Sequence, residues 1–136
     1  MMKIIRGTCV WCLPCVWALL IFVLSSIPNL TTHDRFSFEF SDKIAHLLIY
    51  MPLGFFIYSA QQEWPLVERR YSFKLTMIFG VLYGISDEIH QLFVPGRYFE
   101  VADFIADGLG IFLGAASFVF LKKKYSRQLV KITTNE

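Results

Sequence analysis

Between Arg6 and Asp34 the chain carries no Asp, Glu, Lys or Arg, and this is the first of four long apolar runs. A bilayer core is ~30 Å thick, and a helix needs roughly 20 mostly apolar residues to cross it. Within the first run, residues 10–27 read as a helix with Pro28 at its exit. Residues 44–62, between Lys43 and Glu63, form the second stretch. Residues 75–94 form the third, apolar up to Ser86 and then passing through Asp87, Glu88 and His90. Residues 102–121 form the fourth, with Asp103 and Asp107 near its start. The runs are continuous, whereas half-buried strands would alternate with period two. The expectation is an all-α, polytopic membrane protein: four transmembrane helices in an antiparallel bundle, joined by short connections. Residues 1–121 then make one domain, followed by a basic, mobile cytoplasmic tail at 122–136.

Composition agrees. The 136 residues are 55% hydrophobic and only 18% charged, against about a quarter charged in soluble domains. A formal net charge of +2 is too balanced for a nucleic-acid partner. The basic start, Lys3 and Arg6, would also suit a cleaved signal peptide. The first run, however, is long and has no small-residue A-x-A site before Pro28, so it reads as a retained helix.

Orientation follows from charge asymmetry. With four spans, one side gathers Lys3, Arg6, Arg69, Arg70, Lys74, Lys122, Lys123, Lys124, Arg127 and Lys131 against Glu63, Glu68 and Glu136. The other side holds Arg35, Lys43 and Arg97 with all remaining acids, a split of +7 against −5 that sums to +2. Both termini are therefore expected in the cytoplasm, with residues 28–43 and 95–101 outside. The cysteines of CVWCLPC, Cys9, Cys12 and Cys15, have a thioredoxin-type spacing. They lack the βαβ setting that this chemistry needs, so they read as small apolar fillers beside Pro14.

The ionisable residues inside the spans carry the chemistry. Asp87 lies ~20 Å along a helix from Lys74, and Asp107 ~22 Å from Lys122, at 1.5 Å per residue. Both then sit roughly 8–10 Å inside the outer boundary of the core. Carboxylates at that depth should face the interior, a partner or a wet cavity. Helical phase lets them converge. Asp42, Lys43 and His46 share one face of the second helix, extended inward by Tyr50 and Gly54. Gly80, Tyr83, Gly84, Asp87 and Gln91 share a face of the third, and Asp103, Asp107, Gly110 and Gly114 a face of the fourth. Gly80-x-x-x-Gly84 and Gly110-x-x-x-Gly114 permit close helix approach. The simplest arrangement is a polar cup near the outer face, lined by Asp42, Lys43, His46, Asp87, Glu88, His90, Gln91, Asp103 and Asp107. Arg97, after the Pro95-Gly96 turn, would fold over its mouth. The bland alternative is a set of ion pairs that lock the helix ends.

DKIAHLLIYMPLGF and YGISDEIHQLFVPGRYFEVADFIADGLGIFLG resemble the VanZ-like family of bacterial membrane proteins. The likeness runs from Ser25-Ser26-x-Pro28 to Gly114, through D-K-x-x-H, D-E-x-H-Q-x-F-V-P-G-R and D-x-x-x-D-x-x-G. At Asp107 the chain departs from a pattern in which Asn is more usual. The resemblance implies a multi-pass protein of the bacterial cell membrane, associated with teicoplanin resistance and the cell envelope, and implies no reaction.

Four functions remain open. The cup could recognise the polar head of a lipid or lipid-linked ligand, such as a lipid-linked cell-wall precursor or a lipoglycopeptide, with Lys43 and Arg97 on phosphate or carboxylate. It could be an enzyme site for a lipid-linked substrate, with His46 or His90 as base and a divalent ion on ligands drawn from His46, Asp87, Glu88 and His90. It could serve a proton-coupled small transporter. Or it could be structural, in an assembly partner of another membrane protein.

Overall fold

The computed structural model describes residues 10–28, 41–64 and 66–134, with side chains given for all of these except Ser41 and 128–134. Lys3, Arg6, Cys9, Arg35 and Glu136 lie outside the described residues or side chains. The described residues form four α-helices and one 3-10 turn, with no strand among them. The helices are α1 (Cys12–Ser25), α2 (Ser41–Glu63), α3 (Ser72–Gln91) and α4 (Val101–Thr134), and the 3-10 turn is Arg69–Tyr71.

Contacts at the helix ends establish that successive helices run antiparallel. At one end Lys43 of α2 meets Glu100, just before α4, and Arg97 reaches the last carbonyls of α1. At the other end Lys122 of α4 donates to Gln62 of α2, and Trp11 packs edge-on against Trp64 at 6.1 Å. We call these the acidic and basic ends.

The tightest contact in the bundle joins α2 to α4, and glycine makes it possible. A Cβ on Gly110 would lie 2.6 Å from the Leu47 carbonyl oxygen, and one on Gly114 would fall on the Met51 carbonyl and 2.7 Å from the Phe55 nitrogen. Both neighbours are backbone, which cannot yield as a side-chain tip can. Beneath the seam the core gathers Ile21, Tyr50, Leu53, Ile57 and Ile111. α1 is tied on by two side chains that donate to carbonyls: Trp17 Nε1 to Ile49 at 2.8 Å and the Tyr83 hydroxyl to Ala18.

The outside of the bundle is apolar. Leu13, Val16, Leu19, Leu48, Leu82, Ile89, Ile105, Leu109 and Phe120 are all exposed, while Asp87, Glu88, Gln91, Asp103 and Asp107 are buried. That inversion of the usual soluble pattern suits a hydrocarbon surround. Two helical stretches, Asp42–Glu63 and Val101–Arg127, are long and apolar enough to cross a membrane. Cys12–Ser25 is apolar but shorter, and the 20 residues of α3 carry Lys74, Asp87 and Glu88, which lower their mean hydropathy.

Helix bounds differ from expectation at most ends: α1 is Cys12–Ser25 rather than 10–27, α3 is Ser72–Gln91 rather than 75–94, and two further differences matter for the site and the tail. α2 begins at Ser41 rather than 44, so Asp42 and Lys43 belong to its first turn, where an acid favours the helix dipole. α4 does not stop at Leu121: it continues for 34 residues to Thr134, where a mobile tail was expected. The switch from apolar to basic residues at Lys122 changes the surroundings that suit the chain, not its backbone preference. No Gly or Pro follows Gly114, so nothing breaks the helix. Cys12 and Cys15 are exposed free thiols on α1.

Candidate functional site

The acidic end is assembled from the C-terminal turns of α1 and α3 and the N-terminal turns of α2 and α4. Position 94 starts the turn that closes it. The Arg97 N–H donates to the Val94 carbonyl at 3.1 Å, and Gly96 sits at φ 82°. Pro at the second turn position and a left-handed Gly at the third are what a type II turn demands. This reversal carries Arg97 back over the bundle. Its guanidinium lies within 3.5 Å of the Leu24 and Ile27 carbonyls and of Gln91 Oε1. A cation at the C-terminus of α1 is electrostatically favourable.

Beneath Arg97 is a cavity of about 200 Å³. Its lining is mixed: Ile21, Leu24, Ala45 and Ile49 are apolar, and Asp42, His46, Asp87, Gln91 and Arg97 are polar. Asp87 is set by two donors on Oδ2, the Tyr50 hydroxyl at 3.1 Å and Gln91 Nε2 at 3.2 Å, while Oδ1 is buried without a partner among the described residues.

Behind the cavity, toward α4, the acids are more tightly held. Lys43 is ringed by Glu100, Asp103 at 3.0 Å and Asp42 at 3.6 Å. The contact with Asp103 Oδ1 is one of charge, since that oxygen has no well-directed hydrogen bond. His46 Nδ1 donates to Asp107 Oδ1 at 2.9 Å, and both residues are buried. Glu88 is completely buried; its oxygens accept from Gln91 Nε2 at 3.3 Å and from the Glu100 N–H at 3.1 Å. It thereby ties α3 to the start of α4. Two sets of three groups come within 4.8 Å of one another and could hold an ion: Asp42, His46 and Asp103, and His46, Glu88 and Asp107.

Of the nine residues expected to line the cup and Arg97 expected over its mouth, all stand at the acidic end, but His90 faces away from the cluster. It turns toward α1, 2.9 Å from Ser26 Oγ and 4.4 Å between ring centroids from Phe22. Three residues past Asp87 would allow a shared face, but His90 meets the end of α1 rather than the cavity. Of the four groups from which ion ligands could be drawn, His46 and Glu88 come together with Asp107, while Asp87 faces Tyr50 and Gln91 and His90 faces α1. Lys43, expected to be free for an anion, is already surrounded by acids. Glu100 was missed. It is an acid just before a helix start, a position that favours negative charge, but its two long-range partners leave no trace in local pattern.

Against profiles of known families, residues 10–122 match VanZ/LLP1. No curated protein and no solved structure matches the chain. The family match covers most of the sequence, and the chain belongs to the VanZ/LLP1 family.

Proposed function

We propose, with VanZ/LLP1 membership as the premise, that this is a multi-pass protein of the bacterial plasma membrane that recognises the polar head of a lipid or lipid-linked molecule at the outer leaflet. All four helices span or enter the bilayer, both termini are cytoplasmic, and the acidic end faces out. The exposed apolar flanks and the basic residues gathered at the opposite end support this placement. The family association with teicoplanin resistance makes the cell envelope the setting, and an acylated glycopeptide or a lipid-linked cell-wall precursor has the required amphiphilic form.

The observation that carries the reading is the mixed lining of the cavity. Apolar side chains of α1 and α2 share it with Arg97 and with Asp87, one of whose oxygens has no partner among the described residues. An acyl chain would lie along Leu24 and Ile49, while hydroxyl or amine donors satisfy Asp87 and a phosphate or carboxylate meets Arg97. Among the described residues Arg97 touches no carboxylate, and its three long contacts leave one N–H on each terminal nitrogen for a phosphate or carboxylate. The ring of acids around Lys43 favours a structural role for the α2–α4 side of the acidic end.

Native mass spectrometry of protein extracted in mild detergent tests the reading. One phosphate-bearing lipid should be retained per chain, and Asp87→Asn and Arg97→Lys should each release it. Equal retention by wild type and both variants would overturn the assignment. Teicoplanin susceptibility, with vancomycin as control, is the cellular readout.

A further inference from the structure

We propose that His46, Glu88 and Asp107 hold one divalent transition-metal cation of the Mn²⁺ or Zn²⁺ class, in the wall between the cavity and α4. The three residues come from three helices, all are buried, and one ligand atom of each lies within 4.8 Å of the other two. A second observation is independent of that clustering. Asp107 is 1% exposed, yet its Oδ2 accepts no hydrogen bond from any described group. A buried carboxylate oxygen with no donor is a position where a cation belongs.

The charge around it points the same way. Lys43 is committed to Asp42, Glu100 and Asp103, and Arg97 to Gln91 and two carbonyls. Among the described residues no fixed cation reaches Glu88 or Asp107. Two carboxylates facing one imidazole in a buried site carry two negative charges, which a divalent ion neutralises.

Ligand chemistry narrows the ion. Imidazole suits Zn²⁺ and its neighbours and carboxylates suit Mn²⁺, so a mixed set is open to both, whereas Mg²⁺ and Ca²⁺ prefer oxygen alone. His46 Nδ1 and Asp107 Oδ1 are 2.9 Å apart. Two atoms at that separation subtend about 90° at an ion lying about 2.1 Å from each, a common metal–ligand distance. That angle fits six-coordination better than a tetrahedron. Entry of the ion at Nδ1 moves the imidazole proton to Nε2, and in acid protons compete with the ion for the imidazole and the two carboxylates, so binding weakens. The group Asp42, His46 and Asp103 is a poorer site, because Lys43 already lies 3.0 Å from Asp103 and 3.6 Å from Asp42. The proposed ion site borders the cavity through His46 and does not depend on any head group being bound there.

The test uses untagged, metal-stripped full-length protein in detergent, titrated with Mn²⁺ alone and followed by electron paramagnetic resonance of the free ion. Wild type should remove one Mn²⁺ per chain from the free signal. Zn²⁺ should displace it and equimolar Mg²⁺ should not. Bound Mn²⁺ should show nitrogen coupling from one imidazole, retained in His33→Asn and His90→Asn. Glu88→Gln should weaken binding at least about tenfold, and Arg97→Lys should leave it unchanged. A wild type that takes up no Mn²⁺ overturns the site, as does bound Mn²⁺ without nitrogen coupling, Mg²⁺ competing equally, or Glu88→Gln binding as wild type. The first two results need no variant, so a poorly folding substitution cannot obscure them. A wild type that binds Mn²⁺ but retains no phosphate-bearing lipid would sink the head-group reading alone.

Discussion

The two ends of this bundle both bury polar side chains, and they do so in opposite ways. At the acidic end most of the buried polar groups are ionisable, His46, Asp87, Glu88, Asp103 and Asp107, beside the neutral Ser25 and Gln91. At the basic end they are neutral: Gln61, Ser72 and Thr76, all with no exposed surface. Thr76 returns its hydroxyl proton to the Ser72 carbonyl, but both amide atoms of Gln61 and the Ser72 hydroxyl lack partners among the described residues. The charges of the basic end are instead exposed. Lys122, Lys123 and Arg127 line an open groove of about 360 Å³ beside Tyr58. One end therefore keeps its charge inside and the other outside. A neutral orphan costs roughly 1–3 kcal/mol, while breaking a buried ion pair costs more, about 3–5 kcal/mol. Charge retained inside at that expense is the feature that asks for a ligand.

If this contrast is real, the largest loss of stability comes from splitting the His46–Asp107 pair. His46→Leu should cost about 3–5 kcal/mol, because it leaves a buried carboxylate without its donor. His46→Leu/Asp107→Leu should recover most of that loss, since both charges are gone. Denaturant titration in detergent, with chelator present, measures both. A double variant no more stable than the single one would mean that the pair is not the unit holding this end.

The spine that joins the two ends should come next. Gly114→Ala forces a methyl group onto the Met51 carbonyl and the Phe55 nitrogen, and overpacking of this kind costs about 1–3 kcal/mol. Gly108 is the control. A Cβ there meets nothing within 4 Å, so Gly108→Ala should be neutral or gain up to about 1 kcal/mol from helix propensity. Thermal melts of the two variants should separate in opposite directions. Equal losses would show that α2 and α4 are not seated on each other at Gly114.

At the basic end the sign reverses. Gln61→Leu removes two unpartnered polar atoms at little change of volume. It should be neutral or stabilise by about 1 kcal/mol, because each orphan is already a cost. A loss comparable to His46→Leu would mean that Gln61 has a partner outside the described residues, and the two ends would then resemble each other.

Helix existence was legible because the long apolar runs are continuous and lack the alternation of half-buried strands, and the stripe Asp42, Lys43, His46 followed from i, i+3 and i, i+4 spacing alone. What was not legible depends on where other helices stand. His90 shares a span with Asp87 but meets α1, and only the position of Ser26 and Phe22 decides that. Glu100 lies between helices, where periodicity says nothing, yet it contacts both Lys43 and Glu88. The end of α4 was placed too early because hydropathy reports the surroundings and not the backbone. The Trp17 and Tyr83 bonds to the carbonyls of other helices have no local signature at all.

The smallest expected effect on stability falls on the residue expected to matter most for recognition. Arg97 is partly exposed and its contacts are long, 3.4 and 3.5 Å, to carbonyls and an amide. Lysine keeps the charge near the C-terminus of α1 and can still reach one carbonyl. Arg97→Lys should therefore shift unfolding by no more than about 0.5 kcal/mol, the usual range for a surface change. What lysine loses is the planar fork, and with it two parallel hydrogen bonds to phosphate or carboxylate. Lipid retention and teicoplanin susceptibility should change while the melting temperature does not. If Arg97 serves only to close the turn and cap α1, lysine should leave retention and susceptibility as they are. A variant that keeps its fold and its Mn²⁺ but loses its lipid would separate three roles within one end of the bundle: the Lys43 ring as lock, His46 with Glu88 and Asp107 as ion site, and Arg97 as the contact with the ligand.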